Sequence, residues 1–573
     1  MTRDRDENEW DGRAPEGTPD DGSGPGRENH EVEDTTDHAP RDDGSDLDED
    51  DWDGRDYDEA HDERFDPLDA LVDPVDVNTF EARDLDAGEI ARQVEEELWN
   101  DQITSATADL DAEPGPGDTI VPDAPPMTLA MVEALLDQRR NEVQIEPTLG
   151  RITALLDLLG NPQRSYPVIL VAGTNGKSST VRMIDALLAR IGLRTGRFTS
   201  PHLQRVTERI AIDNHPIDDE TYVRVYADIA PFVDMVDAGS AKAGGVPLSK
   251  FEILTAMAYS AFADAPVEVA VVEVGLGGTW DSTNVVDPHV AVITPIGMDH
   301  TDYLGDTLTA IAGQKAGIIK GETVAIVGPQ QNDAMTAILR RTVQEDVAVA
   351  RYGSEFTVLE RSFAVGGQRL TLQGLGGVYE DVFLPLSGEH QAANAVTALA
   401  AVEAFFGAGA QRQLDVGAVQ DGFASAASPG RLERVRSSPT ILVDAAHNPH
   451  GATALAAALA AEFSFSRLVG VLAVLGDKDV RGVLEALSGS FDEVVVTRNS
   501  SRRSLPVADL AEIAVEVFGE DKVHTADRMD TAIAMAVDLA EQDVDDVSGT
   551  GVVITGSVVS AGDGRALAGL APA

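Results

Sequence analysis

From Met127 onward the chain alternates two apolar patterns. MTLAMVEALLDQR and LGRITALLDLLG place apolar residues at helical spacing, and YPVILVAGTNGKSSTVRMIDALLARIG runs from an apolar strand through a Gly-containing turn into an amphipathic helix. VEVAVVEVGLG, HVAVITPIG and TVAIVG follow as unbroken apolar runs, the pattern of strands buried on both faces of a mainly parallel sheet. This alternation predicts an α/β fold. Around SAASPGRLERVRSSP small residues, two prolines and three arginines interrupt it. A fresh strand, TILVDAAHN, begins there, and RLVGVLAVLG, EVVVTRN and VVITGS follow with Ala-rich helices between them. The prediction is a phosphate-loop unit over 127–427 and a smaller Rossmann-like α/β unit over 428–573, with no internal repeat.

Residues 1–126 break with this pattern. The first 100 residues hold 37 acidic and 9 basic side chains, half of the chain's net charge of −56. Such a stretch cannot bury enough apolar surface to offset its ordering entropy, so a disordered acidic extension is expected. Within it Asp86–Trp99 (DAGEIARQVEEELW) has the spacing of a transient amphipathic helix or a docking segment. The acidic balance argues against a nucleic-acid binder working through a basic surface. The chain has no cysteine, which excludes disulfides, thiolate metal sites and a cysteine nucleophile. MTRDRDENEW has no apolar run behind its basic residues, and no stretch offers about 18 uncharged apolar residues, so a cytoplasmic protein without a membrane span is expected. Of the 43 basic residues only seven are lysines, a bias fitting a high-GC or a salt-adapted host.

The strongest local signal is Gly173-Thr174-Asn175-Gly176-Lys177-Ser178-Ser179, between a strand and a helix. There backbone N–H groups and the positive end of the helix dipole cradle phosphate oxygens, while the lysine neutralises them. The full phosphate-loop pattern would have glycine at 171, where this chain has Val171. Three more segments fall at strand ends, where an open α/β sheet delivers function: Thr199-Ser200-Pro201-His202, the run carrying Glu273 and Asp281, and Asp299-His300-Thr301-Asp302. Their oxygen donors suit Mg²⁺, which binds a few protein ligands together with substrate phosphates.

Taken in order, GTNGKSS, TSPHL, EVGLGGTWDSTN, MDHTDYLG, QKAGIIK, HQAANAVTAL, PGRLE and DAAHNPHG make the chain similar to the folylpolyglutamate synthase and dihydrofolate synthase family, a branch of the Mur-ligase-like amide ligases, over roughly 127–573. The resemblance implies that Asn175, Gly176, Lys177 and Ser178 bind ATP phosphates, with Asn394, Arg431 and Asp444 as further ATP contacts. It implies Mg²⁺, two ions, held by Ser200, Glu273, His300 and Lys315, the lysine carbamylated by CO₂ so that a cation becomes an oxygen ligand. K⁺ is a further candidate. Lys177, Lys315 and His447 are the implied catalytic residues, His447 meeting the nucleotide or the incoming amino acid. For the pterin the matching positions are Ser249, Lys250, Phe251 and Glu252, then Trp280, Asp281 and Ser282. Two positions depart from the family pattern: Gln314 replaces a frequent Glu, and Thr279 a frequent Arg.

The implied reaction joins L-glutamate to dihydropteroate or to reduced folates through an acyl phosphate, with small molecules as the expected partners and a monomer as the expected state. Two other readings remain at this point. A cell-wall precursor ligase of the same superfamily would carry a folded N-terminal domain for its UDP-sugar, where this chain has an acidic extension. A nucleotide switch would need no acceptor-dependent ATPase.

Overall fold

The computed structural model describes residues 126–140, 146–409, 412–542 and 549–572. Apart from Pro126, the acidic extension expected over 1–126 and its amphipathic piece Asp86–Trp99 lie outside the described residues. Both predicted opening helices are present, at Leu129–Asp137 and Gly150–Leu158.

An eight-stranded sheet follows, built from β1 (Val168–Ala172), β2 (Thr195–Phe198), β3 (Ile210–Ile212), β4 (His215–Pro216), β5 (Val269–Glu273), β6 (Val290–Ile293), β7 (Val324–Val327) and β8 (Ala348–Arg351). Its order is β4-β3-β2-β5-β1-β6-β7-β8. All neighbours are parallel except β3, which runs antiparallel to both β2 and β4. Every residue of β1 and β5 is buried, which explains their unbroken apolar runs. β5 and β6 flank β1 on opposite sides, so the chain reverses its direction of winding at β1. A crevice opens at the carboxyl ends of strands at such a point, and here it lies between β5, β1 and β6.

The meander of β9 (Thr357–Ala364), β10 (Gly367–Gln373) and β11 (Val378–Leu384) was not legible from the apolar pattern. Its strands are antiparallel and half-exposed, with charged residues on the outer face, so they lack the apolar runs that mark the first sheet. Val365 and Gly366 join β9 to β10, and Gly366 takes a φ of 83° that favours glycine.

A six-stranded sheet contains β12 (Glu433–Ser437), β13 (Thr440–Val443), β14 (Arg467–Leu472), β15 (Glu493–Val496), β16 (Val523–Thr525) and β17 (Thr550–Thr555), in the order β12-β13-β17-β14-β15-β16. β12 is its antiparallel edge and the other strands are parallel. The interruption read at SAASPGRLERVRSSP therefore contains a strand, with arginines at alternate positions 434 and 436 on an exposed edge. Two clusters of buried side chains pack this sheet, and both draw their buried members from residues 432–561. Among the described residues, no helix is long and apolar enough to cross a membrane.

Candidate active site

One cavity of about 400 Å³ lies between the two large sheets. Of the site residues that the family resemblance implies, every one except Lys250 lines it, whereas Thr199, His202, Thr301 and Asp302 of the strand-end segments do not.

The phosphate loop leaves the buried end of β1. Val171 remains in the strand, in register with Glu273 of β5, so the turn begins only at Gly173. A Cβ on Gly173 would fall 1.9 Å from Thr294 Oγ1. Gly176 has a φ of 83° and caps the helix Lys177–Ile191, and a Cβ there would meet Asn394 Oδ1 at 2.7 Å. Glycine is required at both by close approach, and at Gly176 by backbone conformation too. Lys177 Nζ folds back to donate to the carbonyl oxygens of Gly173 at 3.1 Å and Thr174 at 3.2 Å. Lys315 Nζ, from the helix Leu308–Ala316, donates to the same Gly173 oxygen at 2.9 Å. Two lysine side chains thus share one backbone acceptor.

Burial dominates the electrostatics. It lowers the pKa of Lys177, with Glu273 and Asp299 opposing. It carries Lys315, only 4% exposed, down to about 7, helped by the charge of Lys177. Glu273, 1% exposed at the end of β5, has its carboxyl raised by burial. Its partners are the Ser178 hydroxyl at 2.9 Å and the Ser200 N–H at 3.3 Å. His300 has a φ of 53° and precedes the short helix Thr301–Leu304. Burial lowers its pKa to about 4. Its Nε2 faces Lys478 Nζ at 3.1 Å.

The described residues contain no group of three or more His, Asp or Glu side chains placed to hold a metal. The donor set fits one hard cation, because Glu273 is a desolvated carboxylate beside two serines that supply further oxygens. His300 and Lys315 fit only after change: the ammonium of Lys478 must leave His300, and Lys315 must become an anion.

Beside the phosphate loop, Asn394 packs on Gly176 and donates to Gln391 Oε1 at 3.2 Å. Gln391 Nε2 in turn meets Ser179 Oγ at 3.3 Å. Arg431 projects from the segment that links the two sheets, donating to the Gly430 oxygen at 3.2 Å. Asp444, just after β13, accepts from the N–H groups of Leu432 and Ala446, each at 2.8 Å. Burial raises its pKa while Arg431 lowers it. His447 Nδ1 donates to the Ala445 oxygen at 2.9 Å.

The end that the resemblance assigns to the pterin is built differently. Ser249 caps the helix Lys250–Asp264 by accepting from the Glu252 N–H at 3.3 Å, and Glu252 accepts from the Ser249 N–H at 2.8 Å. The other oxygen of Glu252 takes Arg151 Nε at 3.2 Å. Asp281 accepts from the N–H groups of Leu276 at 2.7 Å and Thr283 at 3.0 Å. Phe251 stacks at a tilt on Phe198, centroids 5.8 Å apart, and fits only because residue 275 is glycine. Trp280 is half-buried beside Gly277, and Ser282 is buried. Lys250 turns outward to Asp137, with Nζ to Oδ1 at 2.6 Å. The two departures from the family pattern touch each other: Thr279 donates its N–H, at 3.0 Å, and its hydroxyl, at 3.2 Å, to the Gln314 oxygen.

Sequence reading assigned no role to several residues that line the cavity: Arg151, Gln391, His450 and Lys478. Lys478 carried a faint signal, as one of seven lysines and following the strand run RLVGVLAVLG.

Comparison with known proteins agrees with this architecture. Residues 250–402 match the Mur ligase middle domain, and 430–558 match the Mur ligase glutamate ligase domain. A dihydrofolate synthase/folylpolyglutamate synthase of Mycobacterium tuberculosis is 59% identical over 461 residues, 78% of this chain and 95% of that protein. The Escherichia coli protein of the same name is 35% identical over 350 residues, 61% of this chain and 77% of its own. Among solved structures, Mycobacterium tuberculosis folylpolyglutamate synthase complexed with ADP superposes with a TM-score of 0.74 at 58% identity, covering 78% of this chain and 99% of that one. An Escherichia coli enzyme in complex with DHPP and ADP gives 0.66 at 30% identity, covering 77% and 97%. The chain belongs to the dihydrofolate synthase/folylpolyglutamate synthase family and is an ATP-dependent glutamate ligase of the Mur-ligase type.

Proposed function

We propose that this ligase adds L-glutamate both to dihydropteroate and to reduced folates, with residues 127–427 holding ATP and acceptor and residues 428–573 delivering the amino acid. The observation that carries the reading is the meeting of Lys177, Glu273 and Lys315 at one end of a cavity whose other end is walled by Phe251 and Trp280. An anionic phosphate chain suits the first end and a flat ring the second.

A carboxylate oxygen of the acceptor attacks the γ-phosphorus, and the bond to the bridging oxygen breaks to release ADP. The glutamate amine then attacks the acyl carbon; phosphate leaves and the amine loses a proton. Asn175, Gly176 and Ser178 hold phosphate oxygens from the helix start, and Lys177 leaves its loop carbonyls to neutralise them. Asn394 beside the loop, with Arg431 and Asp444, binds the nucleotide, and His447 orients nucleotide or amine. Mg²⁺ would be held by Ser200, Glu273, His300 and carbamylated Lys315, and it supplies charge neutralisation at the transferring phosphoryl group. Lys315 is suited to carbamylation because burial keeps much of its amine neutral near pH 7. Closure of the cavity protects the acyl phosphate from water. All these residues come from one chain, which supports a monomer, and we place it in the cytoplasm with its small-molecule substrates.

The test is ADP release with Mg-ATP and L-glutamate, adding dihydropteroate, a reduced folate or neither. Release with both acceptors is expected. Release with one alone would restrict the activity to that acceptor, and no acceptor-dependent release would refute the reading.

A further inference from the structure

Three side chains from the second unit reach across the cavity to a single carboxylate of the first. Asp299 follows β6, and its side chain is 9% exposed. Lys478 Nζ donates to Oδ1 at 2.7 Å, and Asn448 Nδ2 donates to Oδ2 at 3.0 Å. His447 Nε2 stands 3.6 Å from Oδ2. The backbone N–H of His300 also binds Oδ1, at 2.9 Å, which fixes the direction of the carboxylate.

The connection continues into the phosphate loop. Asn448 and Asn175 exchange side-chain hydrogen bonds, each 3.1 Å long. Asn448 is itself fixed as the cap of the helix Pro449–Glu462, accepting from the Gly451 N–H at 2.8 Å. Lys478 sits on an equally constrained loop. Gly476 N–H donates to the Arg503 oxygen at 2.9 Å, and Asp479 caps the helix Val480–Leu487.

The side chain of Lys478 is 8% exposed. With both charges stripped of water, either one alone is costly to keep buried. When the units separate, each regains hydration. When they close, each needs the other in one register, so a misplaced closure leaves an unpaired charge.

We propose that Asp299 is a positioning residue that sets the register of the second unit over the phosphate loop, so that the glutamate amine meets the acyl phosphate in a cavity closed to water. The inference rests on the ligase reading above. Its consequence is specific: a loosened register lets water compete with glutamate, and ADP is released without amide formation.

The test compares wild type, Asp299→Asn, Lys478→Met and the double variant, measuring ADP released and labelled glutamate incorporated in the same reaction, together with thermal melting. Wild type should release one ADP per glutamate joined. Asp299→Asn and Lys478→Met should each raise that ratio about threefold or more, because closure no longer excludes water. The double variant should regain the melting temperature lost by Asp299→Asn, since no unpaired ammonium is left buried, while keeping the raised ratio. Should Asp299→Asn fail to fold, Lys478→Met carries the test, since Asp299 keeps Asn448 and the His300 N–H. An unchanged ratio in folded variants of an active wild type would overturn the inference alone. Absence of acceptor-dependent ADP release in the wild type would overturn the ligase reading with it.

Discussion

At one end of the cavity the charged groups are provisionally held, and at the other they are used up. Lys177 and Lys315 both rest on the Gly173 carbonyl, and Glu273 rests on a hydroxyl and an N–H. Any phosphate oxygen or cation offers these groups a stronger, charge-assisted partner than the one they have. Glu252 and Asp281 at the pterin end already accept from helix caps, turns and, for Glu252, from Arg151. Their charges shape the wall, and the surfaces left facing the space are the rings of Phe251 and Trp280. A binding site for anions thus needs replaceable partners, whereas a site for a flat ring needs a wall that does not move.

The sharpest way to break this contrast is at the phosphate end. Lys177→Met should lower kcat by about 10³-fold, as loss of a charge that acts on the transferring group does. Its melting temperature should hold or rise, since a buried ammonium with only carbonyl partners is removed. Unchanged turnover would mean that Lys177 belongs to the loop rather than to the reaction. Lys315 is the next test. Stripping CO₂ from the buffer should abolish most activity, and bicarbonate should restore it. The sign of its pH dependence follows from burial: the amine is mostly neutral above about 7, and only the neutral form attacks CO₂. Each pH unit below that value lowers the neutral fraction about tenfold, so recovery should slow in proportion. Recovery that is equally fast at low pH would remove Lys315 from this role.

The sequence exposed the two ends unequally, for physical reasons. The phosphate end is built largely from residues close to strand ends, so GTNGKSS and Glu273 announced themselves by position within a repeating α/β pattern, whereas Lys315, inside the helix Leu308–Ala316, was picked out only by the family resemblance. The parallel strands were legible because both of their faces are buried. The meander β9–β11 was not, because half-exposed edge strands mix charge with apolar residues. Asp299 sat in plain view beside His300, yet its partners Asn448 and Lys478 lie 149 and 179 residues away. Only the folded chain brings them together. At the pterin end Ser249 and Glu252 form the S-x-x-E spacing of a capping box, a local signal that competes with a ligand role.

The pterin end predicts smaller effects, divided by residue. Trp280→Ala should raise the acceptor KM about tenfold through lost ring contact, with the KM for ATP unchanged. Glu252→Gln should instead cost about 2–3 kcal/mol of stability, because a buried charged partner of Arg151 is lost and one cap hydrogen bond is weakened. Below its lowered melting point, turnover should stay within a few fold of wild type. If Glu252→Gln raised the acceptor KM and left melting untouched, its carboxylate would be a ligand group and the contrast between the two ends would fail.

Lys250 gives the smallest and most discriminating case, since it lies in the same LSKFEILTA segment as Phe251 yet points away from the cavity. Its ammonium pairs with Asp137, whose side chain is 67% exposed, so the pair is well screened by solvent. Lys250→Ala should therefore change stability by less than about 1 kcal/mol and leave both acceptor and ATP KM values within error. The helix start survives the substitution because Ser249 and Glu252 cap each other without it. A rise in acceptor KM comparable with that of Trp280→Ala would show that Lys250 swings from Asp137 into the cavity when the acceptor binds. The pterin end would then contain a replaceable charge of the kind found beside the phosphate loop.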